Sequence, residues 1–307
     1  MGVGHGHGHG HPPATAGAAY RGRLAVVLGL MLVVAVVQVS GAVFSGSLAL
    51  LADAGHTVTD SAGVMLALFA VWIAGRPPNP RRTFGLQRAE VLAAAANALL
   101  LFLLCAFIAY EAIERLTEPR HVAGPWVVAV AAFGLAANIV ALFILRAGQQ
   151  ESINVRGAYL EVLGDALASV GVIVGGAVIW LTGWSQVDTA VSLIILAIIV
   201  PRAWGLLREA VHVLLEATPR GVDLDEVRTH ILREPGVIDV HDLHAWTITS
   251  GVPVLSAHVV VEEGHLAHSG RMLDRLHACL DGHFDVEHST LQLEPAGHAE
   301  HEGARHH

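Results

Sequence analysis

Six long apolar blocks constrain this chain before anything else does. They run over about Leu24–Phe44, Ser47–Ala74, Arg88–Glu114, Gly124–Arg146, Asn154–Thr182 and Val187–Leu207. A helix of roughly 20 apolar residues crosses about 30 Å of hydrocarbon. In that medium every backbone N–H and C=O needs an internal partner, so blocks of this length fold as helices. The first two are joined by only Ser45 and Gly46, which demands a tight turn.

Composition fits a six-helix membrane domain with a polar remainder. Apolar residues make up 53% of the chain and charged residues only 15%. A formal net charge of −9 argues against nucleic acid as a partner. Cys105 and Cys279 form no CxxC pair, so neither a disulfide framework nor a thiolate metal site is expected. No nucleophile elbow, phosphate-binding Gly loop or HExxH is present, so the chain does not read as an enzyme. No cleavable leader is expected, because the first apolar run starts at Leu24 and another follows at once.

Arginine sets the orientation. Arg21, Arg23, Arg76, Arg81, Arg82, Arg88, Arg146, Arg156, Arg202 and Arg208 fall on one side, whereas the opposite loops hold Arg115 and Arg120. Basic residues mark the cytosolic face, so both termini are expected in the cytosol of a multi-pass protein of the cell membrane, in contact with its lipid. Four segments follow: a His-Gly tail over residues 1–20, a membrane domain over 21–208, a cytosolic domain over 209–295 and a His-containing tail over 296–307. His5, His7, His9 and His11 alternate with Gly, a pattern that packs no core and holds metal loosely. Past Arg208, helical patterns at Val222–Arg233 and His268–Asp281 alternate with strand patterns at Val237–Ile248, Pro253–Glu262 and His288–Glu294. The order αββαβ predicts a small ferredoxin-like α+β domain.

Ionisable groups inside two spans carry the functional signal. The second span holds His56 and Asp60, four apart and therefore on one helical face. The fifth holds Glu161 and Asp165 at the same spacing. Ionisable groups in a bilayer cost several kcal/mol unless they face a polar interior, so they mark a pathway. A nitrogen and three carboxylates on two helices suit tetrahedral binding of a small divalent ion. Asp53, one turn before His56, reads either as a group that orients the imidazole or as an interfacial charge. Asn97 and Asn138 read as interhelical hydrogen-bonding groups, and Asp188 as a helix cap.

The stretches LLADAGHTVTD, RRTFGLQRAEVLAAAANA, NVRGAYLEVLGDALASVGVI and VHDLHAW together resemble the cation diffusion facilitator family, in its CzcD-like zinc-transporter branch. The resemblance spans about Leu24 to Glu294. It implies a homodimer, joined through the cytosolic domain, that exchanges a divalent transition metal, Zn2+ first, for protons. It implies no organic cofactor. Residue by residue, it makes His56, Asp60 and Asp165 transport ligands. Glu161 stands where this branch usually carries His, which tilts affinity toward harder ions such as Mn2+, Fe2+ or Co2+, with Cd2+ also open. Gln38 stands where related sequences often have Glu. The resemblance also suggests a regulatory metal site at His241, His258 and His288, with Glu294 as a fourth ligand. Two other readings stay open: a non-transporting partner subunit, if Glu161 disables the site, and a membrane-tethered metal sensor.

Overall fold

The computed structural model describes residues 14–146, 153–249, 251–266, 268–284, 286 and 288–298. The His-Gly repeat and most of the C-terminal tail lie outside them. Six long helices come first: α1 (Ala14–Ser45), α2 (Leu48–Ala74), α3 (Ala89–Thr117), α4 (Gly124–Arg146), α5 (Ile153–Thr182) and α6 (Gln186–Leu214). All six are long and apolar enough to cross a membrane. Two run further than the apolar pattern. Helix α1 reaches back to Ala14 through ATAGAAY, where alanine favours the helix without apolar patterning. Helix α6, with Pro201 inside it, continues past Leu207 to Leu214.

The chain forms two compact units. Among the described residues, one comprises 14–65 and 97–204, the other 66–96 and 205–298. In the first, helices meet through small side chains. Helix α4 buries Gly124, Val127, Ala131, Gly134, Asn138, Ala141 and Leu145, a stripe at spacings of three and four. It packs against α1 and α5. A side chain added at Gly124 would lie 2.7 Å from the backbone nitrogen of Trp180 and 2.8 Å from the carbonyl of Gly176. Small residues permit such backbone approach, which supplies the dispersion contact that holds helices together where lipid replaces water. Val36, Val43, Leu103, Phe107, Phe143 and Leu167 face outward, forming an apolar exterior suited to lipid.

One end of this bundle is tied by a polar clamp. Gly46 turns the chain between α1 and α2 at φ +70°, a left-handed conformation that disfavours a side chain. Asp188, in the first turn of α6, is buried and caps α2 rather than its own helix. It accepts from the Ser47 hydroxyl at 2.5 Å and from the Leu48 N–H at 2.5 Å. Arg115 sits 3.5 Å from the same carboxylate and donates to the Gly46 carbonyl at 2.7 Å. Asn97 fills the notch at Gly63, where a side chain would meet its amide at 2.6 Å. Its Oδ1, like that of Asn138, has no hydrogen-bond partner among the described residues.

The second unit contains α7 (Leu224–Leu232), β1 (Val237–Thr247), β2 (Pro253–Val261), the short α8 (Glu263–Leu266), α9 (Ser269–Phe284) and β3 (His288–Pro295). Strands β1 and β2 pair antiparallel and β2 and β3 parallel, in the order β1-β2-β3. The parallel pair requires a crossover, which α9 supplies. Asp223 caps α7, accepting from the N–H groups of Asp225 and Glu226. Met272, Leu276 and Leu280 of α9 and Val227 and Ile231 of α7 pack on Val240, Leu255, Val259 and Val261 of the sheet. This is the ferredoxin-like α+β fold that the sequence pattern predicts, with α8 as an unpredicted turn. In the same unit, Arg88 from the loop between α2 and α3 pairs with Glu216 at 2.8 Å.

Replacing Gly124 by Ala puts a methyl group against fixed α5 backbone. The expected loss is about 1–3 kcal/mol, the usual cost of overpacking. It is read as a lower melting temperature of the detergent-purified protein, and an unshifted melting curve would contradict the close approach of α4 and α5.

Candidate metal centre

Helix α2 carries its polar groups in one stripe. Asp53, His56, Thr57, Asp60 and Ser61 recur at helical spacings of three and four, so they share a face. All but Asp60 are buried, and Asp60 is half-buried. On α5, Val162, Ala166, Ser169 and Val172 form a buried stripe in which Asp165 also sits. The two faces bring three predicted ligands together. His56 Nε2 lies 3.3 Å from Asp60 Oδ2 and 3.8 Å from Asp165 Oδ1. One ligand atom from each of the three lies within 4.8 Å of the others. That separation fits a shared ion at about 2.0–2.2 Å from each nitrogen or oxygen. His56 Nδ1 has no hydrogen-bond partner among the described residues.

Glu161 lies one turn before Asp165, half-buried and near enough to Asp60 for its charge to act on that carboxyl. It therefore borders the triad without belonging to its tightest set. Asp53 has a different partner from the expected one. Its Oδ2 accepts from Gln38 Nε2 of α1 at 2.6 Å, and both residues are buried. The Thr57 hydroxyl lies 3.4 Å from Gln38 Oε1 and donates to the Asp53 carbonyl at 3.0 Å. The contact that holds the Asp53 carboxylate thus runs to α1 rather than to the imidazole.

Arg202 is the residue that sequence reading missed. Counted there as one more cytosolic charge, it directs Nη1 to 3.4 Å from His56 Nε2. Its charge also acts on Asp60 and Asp165. The available signal was its position, directly after Pro201 inside an apolar span.

A second cluster lies on the sheet of the other unit. His241 and His258 are direct cross-strand partners, with ring centroids 5.1 Å apart. Glu294 on β3 is buried and reaches both rings, with Oε2 3.3 Å from His241 Nε2 and Oε1 2.7 Å from His258 Nδ1. Gln292 donates to Glu294 Oε1 at 2.8 Å. Asp242 joins from an unforeseen direction, its Oδ2 3.8 Å from His241 Nδ1. The register of β1 slips between His241 and His244, and Asp242 there has φ +46°. Such a bulge re-aims a side chain that strict alternation would turn away. His288 is not brought to this group. It pairs with Val254 at the far end of β3 and packs edge-on to Phe84 at 5.5 Å. Six residues of strand, about 20 Å, separate it from Glu294. The half-buried Cys279 adds no thiolate, since burial and nearby Glu234 push its thiol up.

Residues 24–215 match the family described as the cation efflux transmembrane domain, and residues 219–296 match the cation efflux protein cytoplasmic domain. The chain is 44% identical over 271 residues to the cation efflux system protein CzcD of Alcaligenes sp. strain CT14, covering 88% of this chain and 85% of that one. It is 42% identical over 260 residues to the zinc transporter ZitB of Escherichia coli K12, covering 84% and 82%. A Bacillus subtilis relative named cadmium, cobalt and zinc/H(+)-K(+) antiporter is 35% identical over 266 residues, covering 86% and 85%. With six apolar helices, a ferredoxin-like domain and family matches over nearly its whole length, the chain belongs to the cation diffusion facilitator family, in its CzcD-like branch, and is a multi-pass membrane protein.

Proposed function

We propose that this protein exports a divalent transition-metal cation, Zn2+ first, from the cytosol across the cell membrane in exchange for protons. The observation that carries this reading is the triad of His56, Asp60 and Asp165, two of them buried and Asp60 half-buried, between two helices apolar enough to span a bilayer. One imidazole and two carboxylates make a reasonable zinc donor set. Glu161, against Asp60, is a further oxygen donor at the edge of the site. Ligands must shed protons to bind metal, so protons and metal compete for the same lone pairs. That competition is the chemical basis of exchange: metal loads from one side, and protons displace it on the other. The names of the relatives, a zinc transporter and a cadmium, cobalt and zinc/H(+)-K(+) antiporter, support this cargo class and an exchange mechanism. Glu161 supports a second reading, a preference for Mn2+, Fe2+, Co2+ or Cd2+ over Zn2+, because a carboxylate adds a hard oxygen where a borderline nitrogen is usual.

The arginine bias supports cytosolic termini, with the sheet domain in the cytosol as the point of homodimer contact. There His241, His258, Glu294 and Asp242 would hold a regulatory ion. Two imidazoles and two carboxylates, preset by three adjacent strands, fit Zn2+. His288, at the far end of β3, is outside that set within one chain.

Three outcomes are expected. Asp60→Ala and Asp165→Ala each reduce zinc flux in proteoliposomes by at least about 100-fold, since lost ligands cost more than the roughly 10–100-fold of supporting residues; flux indifferent to both would support a scaffold instead. Glu161→His raises the ratio of zinc to manganese flux, and an unchanged preference order removes Glu161 as a selectivity determinant. Zinc content of the purified full-length protein falls by one ion per chain in the His241→Ala, His258→Ala double variant and not in His288→Ala, as read by elemental analysis. Equal loss in both variants would place His288 in the site.

A further inference from the structure

The site described above contains a permanent cation of its own. Arg202 Nη1 is 3.4 Å from His56 Nε2. Guanidinium groups only donate, so this contact is a hydrogen bond in the tautomer that leaves Nε2 without a proton. A neutral imidazole has one acceptor nitrogen, with a single lone pair in the ring plane. Nε2 is also the ring nitrogen that lies against Asp60 and Asp165, and so the one a metal shared by the three would need. Arginine and metal therefore cannot use His56 together.

We propose that Arg202 is a tethered competitor for the transport site: its guanidinium and a divalent ion need the same nitrogen of His56, so it must withdraw before the ion binds. This rests on the triad being the transport site. Two further observations support it. The same guanidinium acts electrostatically on Asp60 and Asp165 as well as His56. It thus counters the carboxylates that an empty site would otherwise leave facing one another. The helix is also built to let it leave. Pro201, one residue earlier, has no N–H to give the carbonyl of Ala197, so the α6 ladder lacks a bond there. Arg202 is exposed as a residue, so it reaches the buried His56 from the rim.

A built-in competitor weakens resting affinity and hastens release. A bound ion that begins to leave is replaced by the guanidinium, which blocks its return. The carrier loses some grip on its cargo and gains turnover. This is a specificity-neutral effect on affinity and rate, different from the selectivity assigned to Glu161.

The test uses full-length purified protein with zinc as the probe. Zinc dissociation constants come from equilibrium dialysis, and KM and kcat from proteoliposome flux, for wild type, Arg202→Gln, Arg202→Met and Arg202→Lys. Removing the charge should tighten zinc binding and lower KM by about tenfold, because like charges a few ångströms apart repel strongly. Turnover should fall with it, and Lys should restore all three values toward wild type. A purely structural role lowers kcat with KM unchanged or raised. That pattern overturns the proposal, as does a Lys variant that behaves like Gln. Met, neutral and unbranched, serves as the charge-free variant should Gln disturb the helix. If flux still depends on Asp60 and Asp165 while Arg202→Gln leaves affinity untouched, the transport reading stands and only this inference falls.

Discussion

The structure depends on the cost of ionisable side chains inside a helix bundle meant for hydrocarbon. A carboxylate or imidazolium isolated there is unfavourable by several kcal/mol, so it must find a partner. His56, Asp60, Glu161 and Asp165 find one another across the gap between α2 and α5, with Arg202 at the rim. Asp53 finds Gln38, and Asp188 finds Ser47 and Arg115. Each of these ionisable groups thus has its own compensation. What distinguishes the central cluster is that it gathers several acids and an imidazole, where the other sites hold a single carboxylate with its own polar partners.

Much of this was legible in residue spacing. The i, i+4 placement of His56 with Asp60, and of Glu161 with Asp165, fixes both pairs on helical faces, because 3.6 residues per turn leaves little freedom. The spans were legible because apolar length leaves one solution. Helix ends were less so: ATAGAAY has no apolar pattern, only propensity, and charged residues interrupt the apolar run after Leu207 although the helix continues to Leu214. Asp53 was misleading because its neighbour in sequence is His56, whereas its partner Gln38 sits on another helix. Arg202 was hidden for the same reason. A long side chain counts as loop-side charge in a linear reading, yet its tip is several ångströms from its own backbone.

The sheet domain shows the corresponding limit for strands. Period-two alternation correctly suggested strands at β1, β2 and β3, and cross-strand pairing brings His241 to His258. Alternation could not supply the slip of register after His241 that turns Asp242 toward it. Nor could it say that His288 and Glu294, both on β3, belong to different neighbourhoods of the sheet. A strand advances about 3.3 Å per residue, so six residues carry a side chain far beyond ligand distance. Distance along a strand is rigid in a way that proximity in a motif conceals.

The Asp188 clamp has a mechanical consequence. By capping α2 from the first turn of α6, it fastens the starting ends of these two helices at a buried, charged joint. His56 lies about 13 Å along α2 from that joint, at 1.5 Å per residue, and Arg202 about 21 Å along α6. Two rods pinned at one end can splay only at the other. Arg202 is therefore on the longer lever arm, where a few degrees of rotation translate into the largest displacement.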